Sequence, residues 1–438
     1  MARPGHDVTA AVPPLSEPAV RPFAIQNYRR QWVSDLCTSC AFEIETLALA
    51  WYVLTETGSV VLMAAIASLQ YLGTLLSPLL GVLSDRHGQR NTMLAMRMFY
   101  AVVAVMLLVF AHMRWLTPWL ALGFATLSGL VRPSDIGMRN VVTSGIVPGY
   151  LILPAIGLSR MTTDLARMGG ALAGAALMAT LGLAWAYVIV VALYVVAAFF
   201  TYRLRMARVA PHGAGCTVLG QFGAALRSVR GAPAQTATMI MAFLVNFSAY
   251  PFVTGLLPYV AKERFGMDEY GLGTLIAVTA TGSITSSILL SRLRLPNPAV
   301  TMLCSSIAWH VLIVIFAASR SLPFVFASIY LAGVAQNLCM IPMAAFLLGK
   351  VSPAVRGSVI GLRSMAVYGL PLGLMLSGYI LNHGAAFWGV ALGFAATGIT
   401  VTLLVWVSYR THFRPGLAQQ PPEEATRSPR RSRPIAGA

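Results

Sequence analysis

The feature that most constrains this chain is a succession of apolar blocks, each about 20 residues long and separated by short polar connections. A helix of about 20 mostly apolar residues crosses a hydrocarbon layer about 30 Å thick and satisfies its own backbone hydrogen bonds while doing so. Such blocks lie near residues 32–55, 60–82, 92–112, 116–135, 151–179, 182–202, 235–260, 271–291, 299–318, 323–347, 355–382 and 386–408. Twelve spans are therefore expected, the fourth interrupted near its end by Arg132 and Pro133. A β-barrel is disfavoured because the runs are too long and lack period-two alternation. A mean hydropathy of +0.72 exceeds what a soluble core of 438 residues can use. The chain reads as an all-α integral membrane protein.

Arginine sets the orientation. With even-numbered loops inside, the cytoplasmic side receives Arg29, Arg30, Arg86, Arg90, Arg132, Arg139, Arg203, Arg205, Arg208, Arg227, Arg230, Arg292, Arg294, Lys350, Arg356, Arg410 and Arg414. The outside keeps only Arg114, Lys262, Arg264 and Arg320. This positive-inside asymmetry places both termini in the cytoplasm and accounts for the net charge of +17. A nucleic-acid role would need a folded basic domain, and the sequence offers none. Residues 1–22 lack the apolar core of a cleaved signal peptide, so 1–26 and the basic segment 411–438 read as disordered cytoplasmic tails facing water or lipid headgroups. The longest polar connection, 203–234, separates two expected six-helix bundles, 27–202 and 235–410. Transporters built from duplicated halves place their substrate site between the halves near the membrane midplane.

The stretch "GVLSDRHGQR", residues 81–90, spends four ionisable side chains and two glycines on ten positions of a chain that is only 10% charged. It falls in the short loop after the second span. Gly81, Leu83, Ser84, Asp85, Arg86, Gly88, Arg90 and Asn91 resemble the loop signature of the major facilitator superfamily. That resemblance implies two pseudo-symmetric bundles and a cytoplasmic latch in which Asp85 meets the N-terminus of helix 11 while the arginines form a charge cluster. Ser352 and Pro353 fit an N-cap and first turn of that helix, whose partial positive charge can hold a carboxylate. "NYRRQWVSD", "LVRPSDIGMRN", "DLARMGGALAG" and "LLPYVAKERFG" look like the branch of enterobactin-exporter-like proteins and transmembrane secretion effectors. That branch implies export of small molecules, often siderophores or drugs, across a bacterial cytoplasmic membrane. One departure is Gly170-Ala-Leu-Ala-Gly174, where drug-antiporting relatives often carry a proline after the first glycine; what remains is a small-xxx-small packing pattern.

Polarity is most informative where lipid makes it expensive. The first span, "WVSDLCTSCAFEIETLALAWYVLT", contains Asp35, Glu43 and Glu45. Counted from an interfacial Trp32 at 1.5 Å per residue, Asp35 lies about 5 Å deep and the glutamates about 17 to 20 Å deep. Its eight Leu, Ile, Val and Phe residues contribute about 4 kcal/mol to insertion, while two ionised central carboxylates cost about 5 to 7 kcal/mol. These groups should therefore be protonated, paired or turned to a wet cavity, which is the behaviour proton coupling requires. Asp35, Ser39, Glu43 and Thr46 share one helical face, with Glu45 about 160° away, so only one glutamate can face a central cavity. Glu43 is favoured for its polar stripe and Glu45 is the alternative. A structural carboxyl bonded to a neighbouring helix is the competing reading.

Arg363 in the eleventh span can hold an anionic substrate group, pair with a carboxylate of the first span, or snorkel to the interface. Arg160, Asp164 and Arg167, spaced by four and three, suggest an ion network on the cytoplasmic side, with Arg97 in the same region. By the superfamily resemblance, helices 1, 4, 7 and 10 surround the site. This nominates Asn246, Tyr250, Gln336 and Asn337 as substrate contacts, against helix–helix hydrogen bonding as the alternative. His310 and the pair Cys37 and Cys40 read as packing residues. No phosphate loop or metal framework is present, so neither ATP nor any cofactor is expected. The sequence thus describes a monomeric secondary transporter moving a small molecule against protons within a lipid bilayer, not an enzyme. Its direction is read as export, with import of a nutrient or organic anion, or a transporter-shaped sensor or enzyme, as alternatives.

Overall fold

In the computed structural model of the protein, the described residues are 22–75, 84, 87–148, 151–206, 233–292, 297–349 and 365–413. They are almost wholly helical. Helix α1, Gln26–Thr57, ends where Gly58 turns left-handed (φ 63°) and returns its N–H to the Leu54 carbonyl. Ser59 caps α2, Val60–Leu69, by accepting from the Leu62 N–H, and a short 3-10 turn, Leu72–Leu75, continues it. Helix α3 is Gln89–His112. Thr117 caps α4, Pro118–Ile146, whose first residue is a proline that has no N–H to leave unsatisfied. A long element, Ile152–Tyr202, breaks at Gly182 (φ 82°) into α5 before the break and α6 after it. The second half contains α7, Pro233–Ser248, α8, Glu269–Arg292, α9, Pro298–Ala318, α10, Leu322–Gly349, α11, Gly369–Asn382, and α12, Phe387–Tyr409.

Among the described residues, seven helical stretches are long and apolar enough to cross a membrane, one of them running through α5 and α6. The helices outside that group are shorter, broken or charged. Helix α4 departs most from expectation, continuing through Arg132 and Pro133 to Ile146 instead of ending near 135. Asp135 and Arg139 are paired inside the bundle and Arg132 is hydrogen-bonded there, so a criterion based on apolar runs stops too early. Helix α7 departs the other way: the expected run 235–260 breaks after Ser248 into a turn at Tyr250–Val253, a second at Leu257–Tyr259 and a π-helical turn at Val260–Arg264. Pro251 and Pro258 lie in these turns and cannot donate to a continuing ladder.

Side-chain burial fits a lipid surround. On α3, Met98, Val102, Val105, Met106 and Val109 form an exposed apolar stripe, while Arg97, Tyr100, Ala101, Ala104 and Leu107 are buried. Trp115, Trp119, Trp185 and Trp388 are exposed at the helix ends opposite the chain termini, the placement of an interfacial aromatic belt.

Glycines set the tightest crossings, and they do so in matched pairs. Between α2 and α4, a side chain at Gly73 would strike the Leu130 carbonyl and one at Gly129 the Leu69 carbonyl. Between α8 and α10, Gly282 meets the Tyr330 carbonyl and Gly333 the Thr279 carbonyl in the same reciprocal way. Gly170 and Gly174 bring α5 onto Cys40 and Ile44 of α1, and Gly369 and Gly373 bring α11 onto Phe243 and Phe247 of α7. Each contact in the first half thus has a counterpart six helices later.

The halves meet in one apolar cluster. Its first-half members are Leu47, Ala50, Trp51 and Leu54 of α1, Val60, Met63, Ala64 and Ala67 of α2, and Ala171 and Ala175 of α5. All belong to the portions remote from the chain termini. There the Trp51 indole N–H donates to Glu269 at 2.8 Å and the Lys262 ammonium to the Leu54 carbonyl at 3.3 Å. Nearer the termini, first-half residues such as Tyr28, Val147 and Ala155, or Met93, Val142 and Leu204, pack in small clusters of their own. The described residues therefore close the two halves together at the far end.

Candidate functional site

Two polar centres sit on α1, about 12 Å apart along its axis at Asp35 and Glu43. The first lies toward the termini. Asp35 receives the Arg97 guanidinium at 2.5 Å and Arg139 at 3.6 Å, and Asp135 receives Arg139 at 2.8 Å and Arg97 at 3.8 Å. Arg97 is fully buried, Gln31 donates to both Asp35 oxygens at 3.0 and 2.9 Å, and Arg139 also reaches the Ser39 hydroxyl at 2.7 Å. Arg97 contacts the Ser34 hydroxyl, which donates to the Ala197 carbonyl of α6. Two carboxylates and two guanidiniums cancel in charge, and the cluster fastens α1, α3, α4 and α6 to one another. Asp35 is thus braced by two cations, and Arg97, expected in the region nearer the termini, pairs there with α1 and α4.

The second centre lies at mid-height of α1. Gly170 leaves room for the Glu43 side chain, since a Cβ there would stand 3.0 Å from the Glu43 Cβ. Arg167, one turn earlier on α5, faces Glu43 with 3.9 Å between Nε and Oε1, and both side chains retain 22% exposure. Arg167 was expected in a cytoplasmic-side network and instead meets α1 near the middle. It lies within electrostatic reach of Tyr71, at the end of α2, and of Tyr250, at the α7 break. Tyr250 accepts from the Gln336 amide of α10 at 2.9 Å and packs edge-on against Trp309 of α9 at 5.1 Å. Arg132 of α4 donates to Thr46 at 3.0 Å and to Gln70, with the Phe42 ring 4.2 Å from its guanidinium. It too acts on Tyr71 through space. Residues of α1, α2, α4, α5, α7 and α10 thus converge where the halves face each other.

Glu45 points elsewhere. It is sealed within the first half, accepting from Ser128 of α4 at 3.1 Å and from the Tyr194 hydroxyl of α6 at 2.7 Å. The remaining nominees divide. Asn337 turns away from the centre, donating to the Ser283 carbonyl at 2.9 Å and the Ser287 hydroxyl at 3.0 Å of α8. Asn246 donates to Ala242 of its own helix at 2.8 Å. His310 is fully buried between the Ser306 carbonyl and the Ser248 hydroxyl, as a packing residue would be. Gly81, Asp85, Arg86 and Arg363, like Ser352 and Pro353, lie outside the described residues. Gly88 occupies the N-cap of α3 with φ 86°, and Arg90 reaches the Leu204 carbonyl beyond the end of α6 at 3.4 Å. The described residues contain no group of His, Cys, Asp and Glu able to hold a metal ion.

Thr46 and Glu43 shared a face in the sequence reading, but Arg132 and Tyr71 were not nominated. The available signal was an arginine inside an apolar block, which positive-inside counting had assigned to the cytoplasmic loop.

Solved structures with the same fold include the nucleoside transporter NupG, at 16% identity over 88% of this chain and 100% of that one, with a TM-score of 0.68. An auto-inhibited POT family peptide transporter matches at 14% identity over 90% and 98% of the two chains, with a TM-score of 0.70. A bacterial homologue of the human lysosomal transporter Spinster, solved inward-facing and unoccupied, matches at 15% identity over 88% and 96%, with a TM-score of 0.64. No curated protein matches the chain. The transmembrane secretion effector family matches residues 17–428. With that match spanning nearly the whole sequence on a transporter fold, the chain belongs to the transmembrane secretion effector family and is a multi-pass membrane transporter of the major facilitator type.

Proposed function

We propose that the protein is a secondary active exporter of a bacterial cytoplasmic membrane, a monomer with both termini cytoplasmic, that exchanges protons for a small amphipathic solute by alternating access. The solute class is a drug, siderophore or secondary metabolite. The observation that carries this reading is the partly exposed Glu43 carboxylate of α1 facing Arg167 of α5 at 3.9 Å. At that separation two unit charges attract by about 4 kcal/mol at an effective dielectric of 20, before desolvation is counted. Adding a proton to Glu43 removes that attraction, so proton occupancy biases how α1 meets α5 and which side the site faces. Glu45, sealed against Ser128 and Tyr194, is the second candidate carrier, and Asp35 is a brace rather than a carrier. In the proposed orientation, the closed far end is the outer side, so the solute enters from the cytoplasm. The latch at Gly81, Asp85, Arg86, Gly88 and Arg90 acts at the inner side in the opposite half-cycle.

A second reading is import of an organic anion; Arg132 fits the anion whichever way it moves. Comparison of intracellular and released metabolites in cells with and without the protein identifies the solute and its direction. Proteoliposomes under an imposed pH difference then measure coupling. Glu43→Gln is expected to abolish gradient-driven accumulation while solute binding persists. Normal pumping by Glu43→Gln, Glu45→Gln and the double variant would remove α1 from the coupling mechanism.

A further inference from the structure

We infer that the solute carries a carboxylate or comparable oxyanion and that Arg132 holds it. This rests on the reading that the region between the halves is the transport site, and it is independent of direction. Arg97 and Arg139 each lie within 4.0 Å of carboxylates, and Arg167 faces Glu43 at 3.9 Å. Among the described residues, Arg132 has no carboxylate at such a distance. Its described hydrogen bonds both leave from Nη1, to the Thr46 hydroxyl and the Gln70 amide oxygen, and Nε and Nη2 have no acceptor among the described residues. Glu45 acts on it through space, but the Glu45 oxygens are engaged by Ser128 and Tyr194.

Arg132 is only partly buried, and a guanidinium whose remaining water a solute displaces needs a counter-charge, which neutral dipoles replace incompletely. The planar fork that remains open on Arg132 matches the two oxygens of a carboxylate. The buried Phe42 ring, 4.2 Å from the guanidinium, backs it from the first-half side. Tyr71, within electrostatic reach of both Arg132 and Tyr250, supplies hydroxyl and ring surface toward the second half. The ligand that fits is an organic anion with an apolar or aromatic body.

The test uses the full-length protein in nanodiscs, with benzoate and 1-naphthoate as probes against benzamide and 1-naphthamide, read by tryptophan quenching and thermal shift. The acids are expected to bind at least about tenfold more tightly than the amides, the usual scale for losing a charge-assisted hydrogen-bond pair. Arg132→Gln should erase the preference, and Arg132→Lys should keep it at reduced affinity. Gln70→Glu leaves Arg132 in place but gives it an internal carboxylate, and should erase the preference as well. Equal binding of acid and amide, failure of both acids to bind, or a full preference in Arg132→Gln overturns the proposal. No gradient is involved, so normal pumping by Glu43→Gln beside an intact acid preference would defeat the coupling mechanism and leave this inference standing.

Discussion

The buried quartet of Asp35, Arg97, Asp135 and Arg139 allows a quantitative test of what braces the first half. In Asp35→Asn, Arg97 loses its partner at 2.5 Å and keeps only Asp135 at 3.8 Å. At an effective dielectric of 20 these contacts are worth about 7 and about 4 kcal/mol in gross attraction. Desolvation offsets much of that, and removing one partner of a buried pair has a net cost of about 3 to 5 kcal/mol because a charge is left uncompensated. For a protein of this size, that corresponds to a fall in Tm of about 3 to 5 °C. Arg97→Gln should fall similarly, because Asp35 then keeps only Arg139 at 3.6 Å as a cation. The double variant keeps Asp135 and Arg139 paired at 2.8 Å with no surplus charge, so it should recover at least about half of either loss, a coupling typical of contacting residues. Fluorescence-detected thermal unfolding of the purified protein in one detergent measures all four proteins. Shifts below about 2 °C for the single variants, or losses that simply add in the double, would refute the view that these charges stabilise by compensating one another.

Gly398→Ala drives a methyl group into the His310 ring; it should cost about 1 to 3 kcal/mol, and His310→Ala should relieve part of it, as measured by the same thermal assay. Glu269→Gln and Trp51→Phe each weaken the 2.8 Å bond between the halves at the far end. They should raise the reactivity of a cysteine placed at Ala171 toward a membrane-impermeant thiol reagent added outside, whereas unchanged labelling would mean that the apolar cluster alone keeps this end shut.

Much of this architecture was legible because lipid leaves a chain few options. The apolar blocks located the helices, and the angle between Glu43 and Glu45 puts the two carboxyls on different sides of α1, one toward Arg167 and one toward Ser128 and Tyr194. Contacts between distant segments were less accessible. Arg97 has no acidic neighbour in α3 and Asp135 and Arg139 are one turn apart in α4, so the sequence offered half of the quartet as an i,i+4 pair without revealing that Asp35 completes it. Helix α4 outlasted its apolar run because its charges find partners in protein rather than lipid. The amides of the second half split for a similar reason. Gln336 and Asn337 are adjacent and chemically alike, and their helical phase sends one to Tyr250 and the other to α8.

The paired glycine crossings have a mechanical consequence. Where main chain rests directly on main chain, as at Gly73 with Leu130 and Gly282 with Tyr330, sliding one rod along the other would force carbonyls through each other. No compliant side chain is available there to absorb the strain. Both six-helix blocks are therefore stiff against internal shear, and the working stroke must concentrate in the seam between them. Slack introduced within a block should leak away the stroke before it reaches the seam.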